Sequence, residues 1–319
     1  MASGPAICVT RKLPEAVERH LRDFYDARLA TDDSALTREG LAEALASHDV
    51  LLPTITDRLD AALLQAPGVR VKLIANFGAG VEHIDLDAAR AAGIAVTNTP
   101  DALTDTTAEL ALTLMLMAAR RAGEGERLLR AGQWTGWGPT CQIGQGLSGK
   151  LLGLVGYGRI AQATARLARS FGMRIAYVAR SERPTEDGIT RFASLAVLAA
   201  EADVLSLHVP GGAATRHMID AELLGLMKPS AILINTARGS VVDEAALAQA
   251  LRSGQIAAAG LDVYEAEPKV NPALLACDNA VLLPHLGSAT LETRTAMGMQ
   301  AVANIAAFAA GADLPNRVA

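Results

Sequence analysis

The segment "LLGLVGYGRIAQATARL", residues 151–167, ends an apolar run on Gly156 and continues through Gly158 and Ala161. That spacing suits a dinucleotide. The first glycine permits a tight turn, the second lets backbone approach a pyrophosphate, and the small third residue lets a following helix pack on the strand. The helix start would offer free N–H groups and a partial positive charge to the phosphates. A tight turn with a purely structural role is the other reading. The next apolar run, "IAYVARSERP" (175–184), ends where such a fold usually carries an acid for the ribose hydroxyls. Here the positions are Ala179, Arg180 and Ser181, with Arg183 close behind. An acid would repel a 2′-phosphate, whereas an arginine can stack on adenine or fork onto that phosphate and a serine can donate one more bond. These residues are expected to favour NADP(H) over NAD(H). A solvated basic turn is the plainer alternative.

Three more groups each follow an apolar run. Arg238, in "LINTARGSVVDEAAL", stands where ligands bind in open parallel sheets, beyond the carboxyl ends of the strands. It can fork onto a carboxylate, or be a surface arginine paired with Asp243 or Glu244. Glu267, in "GLDVYEAEP", and His285, in "VLLPHLGSAT", could form a carboxylate–imidazole pair that orients the ring and favours its protonated form. An ordinary loop histidine is the competing reading.

The elements that must position these groups alternate. "AICV", "DVLLPT", "VKLIANFG" and "IAVTN" read as strands between the helical stretches "LPEAVERHLRDF", "DRLDAALLQA" and "DLDAARAAG". A second alternating block starts at Lys150, so parallel sheets with helices on both faces are expected. Between the blocks lies "DTTAELALTLMLMAARRA", apolar nearly all round and expected to be buried between domains or subunits. A Gly-rich arm with both tryptophans, Trp134 and Trp137, follows it. The last helix, near 290–310, fits neither block by pattern alone.

Composition narrows the function classes. The net charge is −5 with no long basic run, which argues against general nucleic-acid binding. Cys8, Cys141 and Cys277 follow no metal spacing, so no metal and a reducing compartment are expected. The N-terminus has no charged segment ahead of an apolar one, and no apolar run is long enough to span a bilayer, so a soluble cytoplasmic protein is expected.

Taken in order, "GLVGYGRIA", "NTARGSVVDEAAL", "GLDVYEAEP" and "LLPHLGSAT" resemble the D-isomer-specific 2-hydroxyacid dehydrogenase family. "ANFGAGVEHID" and "ALTDTTAELALTLML" resemble its substrate loop and interdomain helix, and the "WTGW" arm is similar to the glyoxylate/hydroxypyruvate reductase branch. The resemblance spans essentially the whole chain. It implies an α/β protein with two doubly wound parallel-sheet domains: a Rossmann cofactor domain (101–286, with the interdomain helix and a dimer arm) inserted into a flavodoxin-like substrate domain (1–100 and 287–319). It also implies an active site in the cleft of this two-domain architecture, and a homodimer.

The family's catalytic trio carries onto Arg238, Glu267 and His285, and its backbone carboxylate cradle onto Gly78, Ala79 and Gly80. Cofactor contacts carry onto Arg159 and Ile160, Thr107, Thr236, Asp262, Gly287, and the loop His208, Val209 and Pro210. Asp262 as a turn residue and Thr107 bonded to its own helix remain open readings. Trp137 would reach the neighbouring subunit's substrate, or else simply pack. The implied activity is NADPH-dependent reduction of a small 2-oxo acid, glyoxylate or hydroxypyruvate, to the D-2-hydroxy acid. The rivals are a phosphoglycerate dehydrogenase-like enzyme, although no room is seen for a regulatory domain, and a non-catalytic dinucleotide sensor of the same fold.

Overall fold

The computed structural model describes residues 4–181 and 188–319; Arg183 lies outside the described residues. The chain divides into two compact units, 1–103 with 289–319, and 104–288, so the second is inserted into the first.

The first unit runs β1 (Ala6–Val9), α1 (Glu15–Phe24), β2 (Asp26–Arg28), α2 (Arg38–Ser47), β3 (Val50–Leu52), α3 (Ala61–Leu64), β4 (Leu73–Ala75), α4 (Leu86–Ala91) and β5 (Ala95–Thr97). Its five strands pair in the order β2-β1-β3-β4-β5, all parallel. This is the flavodoxin-like order. Successive strand residues point to opposite faces, and the sequence fills both. Ile7, Val9, Val50, Leu52, Leu73 and Ala75 pack on one side, with Val17 and Leu21 of α1. Cys8, Leu51, Ile74 and Val96 pack on the other, with Leu41, Leu45, Leu63 and Ala88 of α2 to α4.

The second unit opens with α5 (Thr104–Ala119) and α6 (Ala122–Arg130), then an arm without helix or strand, and β6 (Leu151–Val155). It continues through α7 (Arg159–Ser170), β7 (Arg174–Val178), β8 (Ile189–Arg191), α8 (Leu195–Glu201), β9 (Val204–Leu207), α9 (Ala221–Leu226), β10 (Ile232–Asn235), α10 (Glu244–Ser253), β11 (Ala258–Leu261), α11 (Pro272–Leu275) and β12 (Ala280–Leu282). Seven parallel strands pair as β12-β11-β10-β9-β6-β7-β8, the doubly wound Rossmann order with one strand added. Central strands of such sheets read as unbroken apolar runs because both faces are covered; every residue of β6 is buried. One face packs Leu152, Leu154, Ile175 and Ile234 on α5 and α7. The other packs Val155, Leu205, Leu233 and Leu261 on α8 to α11.

Part of the α5 surface is covered within its own unit. Ala111, Leu114, Met115 and Ala118 pack in a cluster of that unit, while Leu110, Leu116 and Met117 are half-buried. The last helix, α12 (Leu291–Ala309), returns to the first unit, where Ala301, Val302 and Ile305 join the α1 side of the five-stranded sheet. Among the described residues no helix is long and apolar enough to cross a membrane, and no group of three or more metal-ligating side chains is found.

Candidate active site

The chain leaves β6 for β7 and β8 on one side of the sheet, then returns to β9 on the other side, so a crevice opens beyond the ends of β6 and β9. Gly156 sits there with φ of 90°, and a Cβ on it would stand 2.5 Å from the His208 carbonyl oxygen. Only glycine fits both the left-handed turn and that close approach. Tyr157, between the two glycines, is buried and stacks on Tyr177 of β7 with ring centroids 4.3 Å apart, fastening the turn to the sheet. Gly158 then starts α7 with no side-chain cap and no atom within 4 Å of its Cβ position. The exposed helix start, with Arg159 and Ile160 as its first residues, can therefore take an anion on its N–H groups.

His208, Val209 and Pro210 line the other lip, directly after β9. His208 Nε2 lies 2.9 Å from Ser206 Oγ, and desolvation pushes the His208 pKa down to about 4, so the ring is neutral at neutral pH. Thr236, after β10, is buried and its hydroxyl has no partner among the described residues. These features fit a dinucleotide: an uncapped helix start, a turn without side-chain bulk, and an unpaired hydroxyl on the carboxyl edge. The β7 tip ends on half-buried Ala179, followed by exposed Arg180 and Ser181. β8, an element that the sequence pattern did not reveal, brings Arg191 alongside, where its guanidinium donates to the Ala179 carbonyl at 3.3 Å.

The three strand-end groups converge within this unit. His285 Nδ1 is 2.8 Å from Glu267 Oε2, and Glu267 Oε1 accepts the Tyr264 N–H at 2.9 Å. Burial opposes ionisation of Glu267, but the bond to His285, the His285 charge, the Tyr264 N–H and the Arg238 charge together hold its carboxyl below the usual range. An ionised carboxylate only accepts, so Nδ1 carries a proton and Nε2 is left for other partners. Arg238 reaches this neighbourhood because Gly239 lies against the chain at Tyr264, where a Cβ would fall 1.8 Å from its carbonyl carbon. Asp243 caps α10, accepting from Ala245 and Ala246 N–H, and Glu244 accepts the Glu265 N–H.

Asp262 and Thr107 hold the loop that carries His285. The Asp262 carboxylate accepts Leu286 and Gly287 N–H at 2.6 and 2.8 Å, and its own carbonyl accepts the His285 N–H. These bonds clamp His285 in a left-handed turn with φ of 55°, a conformation uncommon outside glycine. Burial raises the Asp262 pKa above the ordinary carboxylate value. Thr107 donates to the Gly287 carbonyl at 3.2 Å, so its hydroxyl serves this loop as well as lying on α5.

In the first unit, Gly78, Ala79 and Gly80 follow β4 in a loop whose carbonyls are held by Asn76 and Asn98, two residues that the motifs did not single out. The arm of the second unit leaves Trp134 exposed and Trp137 85 % exposed.

A nucleotide-shaped turn with an arginine and a carboxylate–imidazole pair on the same sheet edge defines an oxidoreductase of the Rossmann class. Residues 112–287 match the D-isomer specific 2-hydroxyacid dehydrogenase, NAD binding domain. The whole chain is 45 % identical over 321 residues to a glyoxylate reductase of Thermococcus litoralis, covering 98 % of this chain and 96 % of that one. Among solved structures, a Thermus thermophilus protein is 42 % identical with a TM-score of 0.92, over 98 % of this chain and 99 % of that one. An NADPH-dependent glyoxylate/hydroxypyruvate reductase of Sinorhizobium meliloti, in complex with NADP and malonate, is 36 % identical with a TM-score of 0.86, over 99 % and 97 %. This chain belongs to the D-isomer-specific 2-hydroxyacid dehydrogenase family.

Proposed function

We propose that the protein reduces glyoxylate, and with it hydroxypyruvate, to the 2-hydroxy acid, with NADPH preferred over NADH. The observation that carries this reading is the 2.8 Å Glu267–His285 pair beside Arg238 on the carboxyl edge of the Rossmann sheet. Arg238 grips the substrate carboxylate and polarises the ketone. Glu267 fixes the ring through Nδ1, so His285 Nε2 faces the substrate and donates its proton to the carbonyl oxygen, which becomes the hydroxyl. The reduced nicotinamide, when bound, supplies the hydride to C2. Gly156, Gly158, Arg159 and Ile160 hold the pyrophosphate, and Thr236, Asp262, Thr107, Gly287 and the His208–Pro210 loop surround the nicotinamide half. Arg180 and Ser181 hold the 2′-phosphate, with Arg191 as a further cation at the same tip; Arg183 is assigned there from sequence only. Gly78, Ala79 and Gly80 take the substrate carboxylate.

A homodimer is part of this reading. Leu129, Trp134, Trp137 and Ile143 leave an exposed apolar surface along α6 and the arm, which a second copy covers, with Trp137 reaching the neighbouring substrate. Sedimentation at micromolar concentration checks this; a fully active monomer refutes it.

The deciding experiment is turnover of glyoxylate, hydroxypyruvate, pyruvate and phenylpyruvate by purified protein with each reduced cofactor. Reduction of the two small acids, faster with NADPH, is expected. Tight dinucleotide binding without turnover of any 2-oxo acid would make the protein a sensor instead.

A further inference from the structure

We infer that Asn76 is a positioning residue that aims three backbone N–H groups, those of Ala79, Gly80 and Val81, at the substrate carboxylate. That role presupposes the 2-oxo acid reduction proposed above and assigns the residue that makes the loop after β4 receptive to an anion.

Asn76 is fully buried at the end of β4, its own N–H bonded to the Thr97 carbonyl. Its side-chain Nδ2 donates to the Gly78 carbonyl at 3.1 Å and to the Gly80 carbonyl at 2.9 Å. The Ala79 carbonyl between them accepts from Asn98 Nδ2 at 2.8 Å, and the Gly78 carbonyl also accepts the Thr99 N–H at 2.9 Å. Three successive carbonyls are thus drawn into the fold. Across a planar trans peptide, the C=O of one residue and the N–H of the next point in opposite directions. Carbonyls of 78, 79 and 80 turned inward therefore leave the N–H groups of 79, 80 and 81 turned away from Asn76 and Asn98. Among the described residues none of these three N–H groups donates to a protein acceptor, and Ala79, Gly80 and Val81 are half-buried. Successive N–H groups in one concavity attract an anion, and a carboxylate has two oxygens to share among them.

The amide is itself held. With both Nδ2 hydrogens used on carbonyls, Oδ1 faces the other way, 3.0 Å from His83 Nε2. An amide oxygen only accepts, so His83 Nε2 carries the proton of that bond. A relay of hydrogen bonds runs from His83 through Asn76 to the loop. None of these side chains touches the substrate; they decide which way the peptides face. Asn76→Asp keeps the shape but replaces two donors with acceptors, which repels the Gly78 and Gly80 carbonyls and adds a negative charge beside an anion site.

Asn76→Asp is expected to raise KM for glyoxylate about 10- to 100-fold, the range for loss of a hydrogen bond to a charged group, while kcat changes less than about threefold. The inhibition constant of oxalate should rise in parallel, and the NADPH dissociation constant, read by cofactor fluorescence, should stay the same. His83→Phe should raise KM by about three- to tenfold, and His83→Gln, which keeps a donor, should restore most of it. A folded Asn76→Asp variant with unchanged KM and oxalate inhibition overturns the inference. If that variant does not fold, equal KM values for His83→Phe, His83→Gln and wild type overturn it instead. Oxalate binding, read as a rise in Tm, needs no turnover. A wild type that binds oxalate but does not reduce glyoxylate, with binding lost in Asn76→Asp, would sink the proposed reaction and leave the role of Asn76 standing.

Discussion

Replacing Ala179 with Asp and Arg180 with Ala should reverse the cofactor preference. On the proposed reading, the β7 tip would offer a 2′-phosphate the Arg180 fork and the Ser181 hydroxyl, both on exposed residues. Hydrogen bonds to a charged group are worth about 1.5–3 kcal/mol each, and exposure removes part of that. On that reading, one or two net bonds would then favour NADPH by about ten- to a thousandfold in kcat/KM. The carboxylate introduced by Ala179→Asp would accept the ribose hydroxyls of NADH and repel a 2′-phosphate. Arg191 complicates the exchange. Its guanidinium already lies on the Ala179 carbonyl at 3.3 Å, so it can pair with the introduced carboxylate and blunt its charge. An exposed ion pair is worth up to about 1 kcal/mol, so adding Arg191→Ala should shift the preference toward NADH by up to about fivefold more. The assay is steady-state reduction of glyoxylate with each cofactor at fixed ionic strength. Equal or better use of NADH by the wild type would refute the phosphate-binding role of this tip. Failure of Arg191→Ala to add to the double variant would remove Arg191 from it.

His285→Ala should lower kcat by about 10²- to 10⁴-fold, the range for a positioned proton donor, without weakening NADPH binding; near-normal kcat would take His285 out of the mechanism. Arg238→Ala should lose both affinity and rate, and Arg238→Lys should recover only part, because lysine lacks the planar fork. Reduction of an aldehyde without a carboxylate as fast as glyoxylate would contradict that grip. His208 gives a pH effect on the unliganded protein. Its pKa falls from 6.5 to about 4 on folding, so between those values the unfolded chain binds more protons and stability drops as pH falls. The loss is at most about 3 kcal/mol. Tm measured from pH 7 to pH 4 should fall less for His208→Asn than for wild type; identical slopes would show that the ring is not desolvated.

Much of the cofactor unit was legible because its signals are local. A turn that only glycine can make, an apolar run before it and a helix after it all lie within the seventeen residues of 151–167, and the same neighbours meet in space. Position alone made Arg238, Glu267 and His285 candidates, since each follows an apolar run and a parallel sheet sends the carboxyl ends of its strands to one edge; the family resemblance, not the local pattern, singled them out. Short polar strands gave no such signal. β2 and β8 have three residues each, with exposed ends or sides, and they are strands only because β1 and β7 offer free edges to pair with. Arg191 was invisible to pattern for that reason.

Pairings between distant segments were decided by the tertiary structure. Local spacing could nominate Glu267 and His285, but sheet order, the close approach at Gly239 and the Asp262 clamp bring their side chains to 2.8 Å and Arg238 beside them. Asn76 and Asn98 lie at the ends of neighbouring strands β4 and β5, and only that parallel pairing lets both amides reach one three-residue loop. α12 carries an apolar face that any sheet would cover; its place on the five-stranded sheet follows from the chain's return to the first unit after Ser288. Periodicity in a sequence records which face of an element is buried and where the chain must turn. It does not record the partner, because the partner is chosen by contacts summed over the whole fold.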